Sequence, residues 1–156
     1  MLQGEARALY DVRPASDIDL SDPTLRDAWA RVLRGKCDFL LLTYAPLSKT
    51  RLAVKAKGAG GPEQLAPLLA DDAVSYAGLR VRVGGAEKFV FVAHVGVSVG
   101  AMLRGKAAMH RQDAESFFHG TAAGIHLAED EATADAICTH ARALLGGGEI
   151  SFPSGA

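Results

Sequence analysis

Asparagine is absent from this chain of 156 residues, so no N-glycosylation acceptor exists. Cysteine is scarce. Cys37 and Cys138 are too few for a disulfide framework and lack metal-ligand spacing, so a reducing, cytoplasmic compartment is expected. Long apolar runs are missing too. Phe39–Leu42 and Phe89–Val95 fall far short of the roughly 18–20 residues of a membrane helix, so no membrane insertion is expected. Met1-Leu2-Gln3-Gly4-Glu5 has neither the basic nor the apolar region of a secretory signal. Excess charge of either sign is also lacking. Seventeen Lys+Arg against eighteen Asp+Glu leave −1, which argues against a nucleic-acid partner. What remains is a globular composition, 49% hydrophobic and 22% charged, at a length that suits one domain.

Residues 1–21 are weakly patterned. Leu2, Ala6, Leu9 and Tyr10 could form one or two helical turns, and the segment reads as an N-terminal extension. Asp22 as N-cap, Pro23 in the first turn and Gly35 past the end frame a helix. Its stripe is Leu25, Ala28, Trp29, Val32 and Leu33. Asp38–Tyr44 reads as a buried strand, and Thr50–Lys57 as a half-buried one with Arg51, Lys55 and Lys57 outward. A helical turn near Glu63–Ala70 precedes an alternating strand over Ser75–Val83. Gly84-Gly85 then turns the chain into an apolar, centrally placed strand at Lys88–Val95. Gly96–Ala108 is expected as a loop and Met109–Ala123 as a helix with Ala114, Phe117, Phe118 and Thr121 inward. Ile125–Leu127 reads as a short strand, followed by a last helix with Glu129-Asp130-Glu131 in its first turn. Thr133, Ile137, Ala141, Leu144 and Leu145 line that helix, and residues 148–156 form a flexible tail. The order α-β-β-α-β-β-α-β-α predicts one α/β domain of the α+β type over residues 22–147. A central mixed sheet lies between helices.

Gly96-Val97-Ser98-Val99-Gly100 matches G-x-S-x-G, and Ser98, Asp113 or Asp135, and His140 follow hydrolase order. Three features oppose a small serine hydrolase. Gly100 and Gly105 interrupt the helix that a nucleophile elbow requires, the strands are joined by hairpin turns, and no glycine-rich oxyanion loop precedes the motif. His94, His110, His119, His126 and His140 show no metal-binding spacing and are expected as surface or interface residues. Ser48-Lys49-Thr50 precedes a strand, so no phosphate loop is supported, and no cofactor is expected.

Position by position the neutral total divides. Residues 49–111 hold ten basic and four acidic side chains, net +6, and residues 112–156 are −6. Lys88, Arg104, Lys106 and Arg111 fall in a turn, a loop and a helix start, where binding residues concentrate. They suit an acidic protein surface, with association that weakens as salt rises.

Several segments resemble the actin-depolymerising-factor homology domain, and within it the coactosin branch. They are Asp71-Asp72 before an alternating strand, Lys88-Phe89, Gly96 and Leu103-Arg104-Gly105-Lys106. Leu127-Ala128-Glu129-Asp130 and a terminal helix ending in glycines complete the set. The resemblance covers residues 22–147 and implies a non-enzymatic, monomeric, cytoskeletal protein that binds the side of filamentous actin in preference to monomers and modulates filament dynamics or capping. It implies an actin site at Lys88, Arg104, Lys106 and Arg111, to which Arg82 is added. Relatives of the same fold that bind monomers and depolymerise, or that regulate filament branching in the manner of glia maturation factor, are the alternatives. The chain departs from the coactosin pattern in three places. The hairpin Val83–Glu87 is short, with Glu87 where positive charge is usual, His94 replaces an aromatic, and residues 1–21 are additional. No regulatory role is expected for Ser16 or Ser21.

Overall fold

An alternating run over Ser75–Val83 and an apolar run over Lys88–Val95, joined through Gly84-Gly85, make one long hairpin the centre of the molecule. The computed structural model describes residues 14–146 and 149–153. The helical turns expected from Leu2, Ala6, Leu9 and Tyr10 lie outside the described residues. Strands β3 (Val74–Val83) and β4 (Ala86–Val95) pair antiparallel along their whole length. Gly84 and Gly85 turn with φ of 57° and 85°, which only glycine adopts at little cost. β1 (Phe39–Tyr44) and β2 (Leu52–Gly58) extend the sheet on one side and β5 (Ala123–Leu127) on the other, in the order β2-β1-β3-β4-β5. The β4–β5 pair alone among these is parallel, as the helix between those strands requires.

Helix α1 (Pro23–Leu33) forms as its caps and stripe dictate. Asp22 accepts from the Thr24 amide at 2.9 Å, and Gly35 ends the helix with φ of 81°. Leu25, Ala28, Trp29 and Val32 are buried against one face of the sheet. Trp29 lies edge-on to Phe118 and Phe89 and donates from Nε1 to the His119 carbonyl at 3.1 Å. A β-carbon at Gly78 would overlap the Trp29 ring, so β3 carries glycine there. The one-turn helix α2 (Pro62–Leu65), the 3₁₀ turn Ala66–Leu68 and the C-terminal helix α4 (Ala134–Leu145) cover the other face.

Four segments differ from the sequence expectations. Helix α3 spans Ala101–Phe117, so the expected loop before Met109 is helical and Thr121 lies past its end. β5 begins at Ala123 rather than Ile125. Helix α4 starts at Ala134, with Thr133 as N-cap accepting from the Ala136 amide. Glu129-Asp130-Glu131 therefore precede the helix, and Leu144 is exposed. The expected loose tail adds β6 (Ile150–Ser151), paired with β3 at Arg82 and Val83, and Phe152 packs on the α4-side core.

Candidate functional site

The turn that launches α3 is built on a close backbone approach. A β-carbon at Gly96 would overlap the Asp71 carbonyl oxygen, and the Gly96 and Ser98 amides donate to Ala73 and Asp71 at 3.0 and 2.8 Å. Ser98 is exposed, and no histidine hydrogen bonds to it among the described residues. Helix α3 begins three residues after Ser98, so the expected interruption by Gly100 and Gly105 does not occur. The topology still departs from a hydrolase, because β4 is antiparallel to β3 and parallel to β5 only.

Helix α3 lies close to the sheet because Ala107, His110 and Ala114 form its fully buried line. Its outer face exposes Met102 and Met109, two turns apart on one side. The sequence reading missed this pair by assigning Met102 to a loop, although the seven-residue spacing carried the signal.

The basic residues fall into two stations. Lys88 lies near the start of β4, exposed, opposite Val81. Arg104, Lys106 and Arg111 lie on α3, whose start follows the far end of β4. Seven residues separate Lys88 from Val95, roughly 23 Å of strand at about 3.3 Å per residue.

Each cation has a different setting. Arg82 is 3.3 Å from Glu87 and stays more than half exposed. Arg104 donates to the Gly96 carbonyl at 3.0 Å and pairs with Glu129 at 3.0 Å, tying the α3 turn to the segment before α4. Lys106 meets Asp17 at 2.5 Å. Lys88 and Arg111 are exposed and form no ion pair with any described residue.

Arg80 is the buried member of the basic set. Its guanidinium meets Asp38 at 3.2 Å, Glu87 at 2.8 Å, and the Cys37 and Val32 carbonyls, and lies over the Phe89 ring. This clamp gives the acidic residue of the short hairpin a structural reason. Glu87 bridges Arg80 and Arg82, and with Asp38 it balances their two charges. A groove of about 640 Å³ beside it is lined by Arg34, Asp38, Arg80, Arg82, Glu87 and Phe152.

Two histidines expected at the surface are buried, His94 and His110. His110 Nε2 lies 2.6 Å from Asp17, and Nδ1 lies 2.6 Å from the Tyr44 hydroxyl. Tyr44 is 3.2 Å from Tyr76, which donates to the Ala107 carbonyl at 3.1 Å. Tyr76 commits its one hydrogen to that carbonyl, and the direction of the bonds joining Tyr44 to Tyr76 and to the His110 ring follows the tautomer of that ring. Burial pushes both tyrosine hydroxyls above their ordinary range. Hydrogen bonds from Lys106 and His110 hold the Asp17 carboxyl down at about 2. Asp113, one turn further along α3, accepts from the Ala15 amide and from the Ser16 amide and hydroxyl. Burial opposes its ionisation, yet these bonds outweigh burial and keep its carboxyl below the usual value.

The fold agrees with that of known proteins. The profile of the cofilin/tropomyosin-type actin-binding protein family matches residues 17–142. The chain belongs to that family. This cofilin-type chain is similar to coactosin from Entamoeba histolytica, at 26% identity and a TM-score of 0.62, covering 80% of this chain and 97% of that one. It superimposes on human coactosin-like protein with a TM-score of 0.68 at 16% identity, covering 81% and 98% of the two chains. Mouse coactosin gives 0.65 at 17% identity, covering 85% and 94%. No curated protein matches the sequence significantly. The α+β fold is thus the cofilin fold, and the family's activity is actin binding. No helix among the described residues is long and apolar enough to cross a membrane.

Proposed function

We propose that this protein is a non-enzymatic regulator that binds the side of filamentous actin through two stations, Lys88 on the β3–β4 hairpin and Arg104, Lys106 and Arg111 on α3. Arg82 contributes at the hairpin in a secondary role because Glu87 shares its charge. The observation that carries the reading is that two exposed cations without ion-pair partners among the described residues, Lys88 and Arg111, stand on separate elements, the β3–β4 hairpin and α3. Cations on two separate elements suit an extended acidic surface, such as that of neighbouring subunits of an acidic polymer, better than a single side-chain pocket. The Met102–Met109 face supplies apolar area between charged contacts, where surface ion pairs alone contribute little. Mouse coactosin, which shares the fold, is described as an actin filament binding protein.

A second reading, monomer binding with depolymerisation, draws on the same exposed methionine face, because one helix can dock on one subunit without the hairpin. Co-sedimentation with filamentous actin, run beside a monomer-binding assay at low and high salt, separates the two. Side binding predicts pelleting with filaments that weakens as salt rises, with little affinity for monomers. Binding to monomers with net loss of polymer would favour the second reading.

A further inference from the structure

We infer that residues 15–19 form a built-in competitor for the basic end of α3, in which Asp17 occupies Lys106 in place of an acidic side chain of the filament. This inference rests on the actin reading above, since it concerns access to one of that site's cations.

The segment follows a definite track. Lys106, His110 and Asp113 are spaced at i, i+4 and i+7, so they line one side of α3. Asp17 reaches Lys106 through Oδ2 and buried His110 through Oδ1, and Ala15 and Ser16 donate three hydrogen bonds to Asp113. Met102 and Met109 stay exposed beside it, whereas Arg111 lies on the other flank of the helix, near His126. The covered line and the proposed contact face therefore adjoin on one helix, and Lys106 belongs to both.

The two ends of the segment are held differently. Ile18 is buried in the α1-side core, and Asp19 exchanges backbone hydrogen bonds with Thr50 and Leu52. Those contacts resist opening. Ala15, Ser16 and Asp17 bury no large apolar side chain and meet α3 through polar and charged groups. Asp17 and Lys106 are both partly exposed, so this end is held by contacts that solvent and salt weaken. The segment can thus lift at Asp17 while Ile18 remains in the core. Lifting releases Lys106 and opens the buried Nε2 of His110 to water.

The test combines Asp17→Asn with hydrogen exchange in the full chain. The asparagine oxygen still accepts from His110, while the charge on Lys106 is released. The inference predicts faster exchange of the Ala15 and Ser16 amides in Asp17→Asn, and filament affinity higher by about two- to fivefold, the scale of one partly exposed ion pair. It also predicts that Asp17→Asn/Lys106→Ala loses that gain, and that filaments accelerate exchange of the same amides in the unmodified protein. Unchanged or weaker filament binding by Asp17→Asn overturns the inference, the weaker result making the segment part of the contact surface. Absence of filament binding by both proteins instead overturns the actin reading on which the inference rests.

Discussion

Asp17 shows how one exposed carboxylate acquires a strong preference for its charged form. Hydrogen bonds from Lys106 and His110 lower its pKa from 3.8 to about 2. Because the folded value is the depressed one, the associated stabilisation is fully present above pH 3.8 and is lost as pH falls through about 2. The charge of Asp17 is therefore intact throughout the neutral range, and the pH response of its contact with α3 is confined to strong acid. A carboxyl-carbon NMR titration of Asp17 is expected to show a midpoint near 2. A midpoint at the ordinary aspartate value would mean that Asp17 is not held by Lys106 and His110 in solution. The charged residues themselves were readable from the sequence, but their partners were not. Lys106 and Asp17 stand 89 positions apart, and nothing in local pattern links them.

Helices α1 and α3 differ in how much of their stability is local. Helix α1 carries its own signals, an aspartate N-cap, a first-turn proline and a five-residue apolar stripe, and it forms where those signals predict. Helix α3 lacks them. Its N-cap is Gly100, Gly105 lies inside it, its first turn contains no acid, and Arg104 and Lys106 lie close to its positive end. Propensity thus delays its expected start to Met109. Arg104 binding the carbonyl of Gly96 and burial of Ala107 hold the first two turns instead, and burial of His110 and Ala114 continues that line further along. The β3–β4 hairpin has a similar hidden constraint. Strand alternation was legible, whereas the pairing of Glu87 with buried Arg80 depends on side-chain placement across the turn. Glu87→Lys would restore the positive charge usual in coactosins while placing a third cation beside Arg80 and Arg82. It is expected to lower stability by about 1–2 kcal/mol, discounted because Glu87 is half exposed and Asp38 still pairs Arg80. Urea unfolding measures this, with Glu87→Gln intermediate. An unchanged midpoint would contradict the clamp.

At the scale of the whole molecule, a chain of net charge −1 carries the candidate cations in two stations, one on the β3–β4 hairpin and one on α3. Within them Arg82, Arg104 and Lys106 already have acidic partners, which leaves Lys88 and Arg111 as the exposed cations most available to a partner surface. The +6 segment was visible in the sequence, but its division into paired and available charge required the fold. The most direct measurement is co-sedimentation with filamentous actin of Lys88→Ala, Arg111→Ala and the double variant, each shown to be folded. Two-station side binding predicts that each substitution weakens binding by about two- to tenfold, the range of a charge-assisted contact at a partly solvated interface. It also predicts that the double variant loses at least the product of the two. Unchanged pelleting of Lys88→Ala would contradict it, leaving α3 as the sole contact and a monomer-binding protein as the better description.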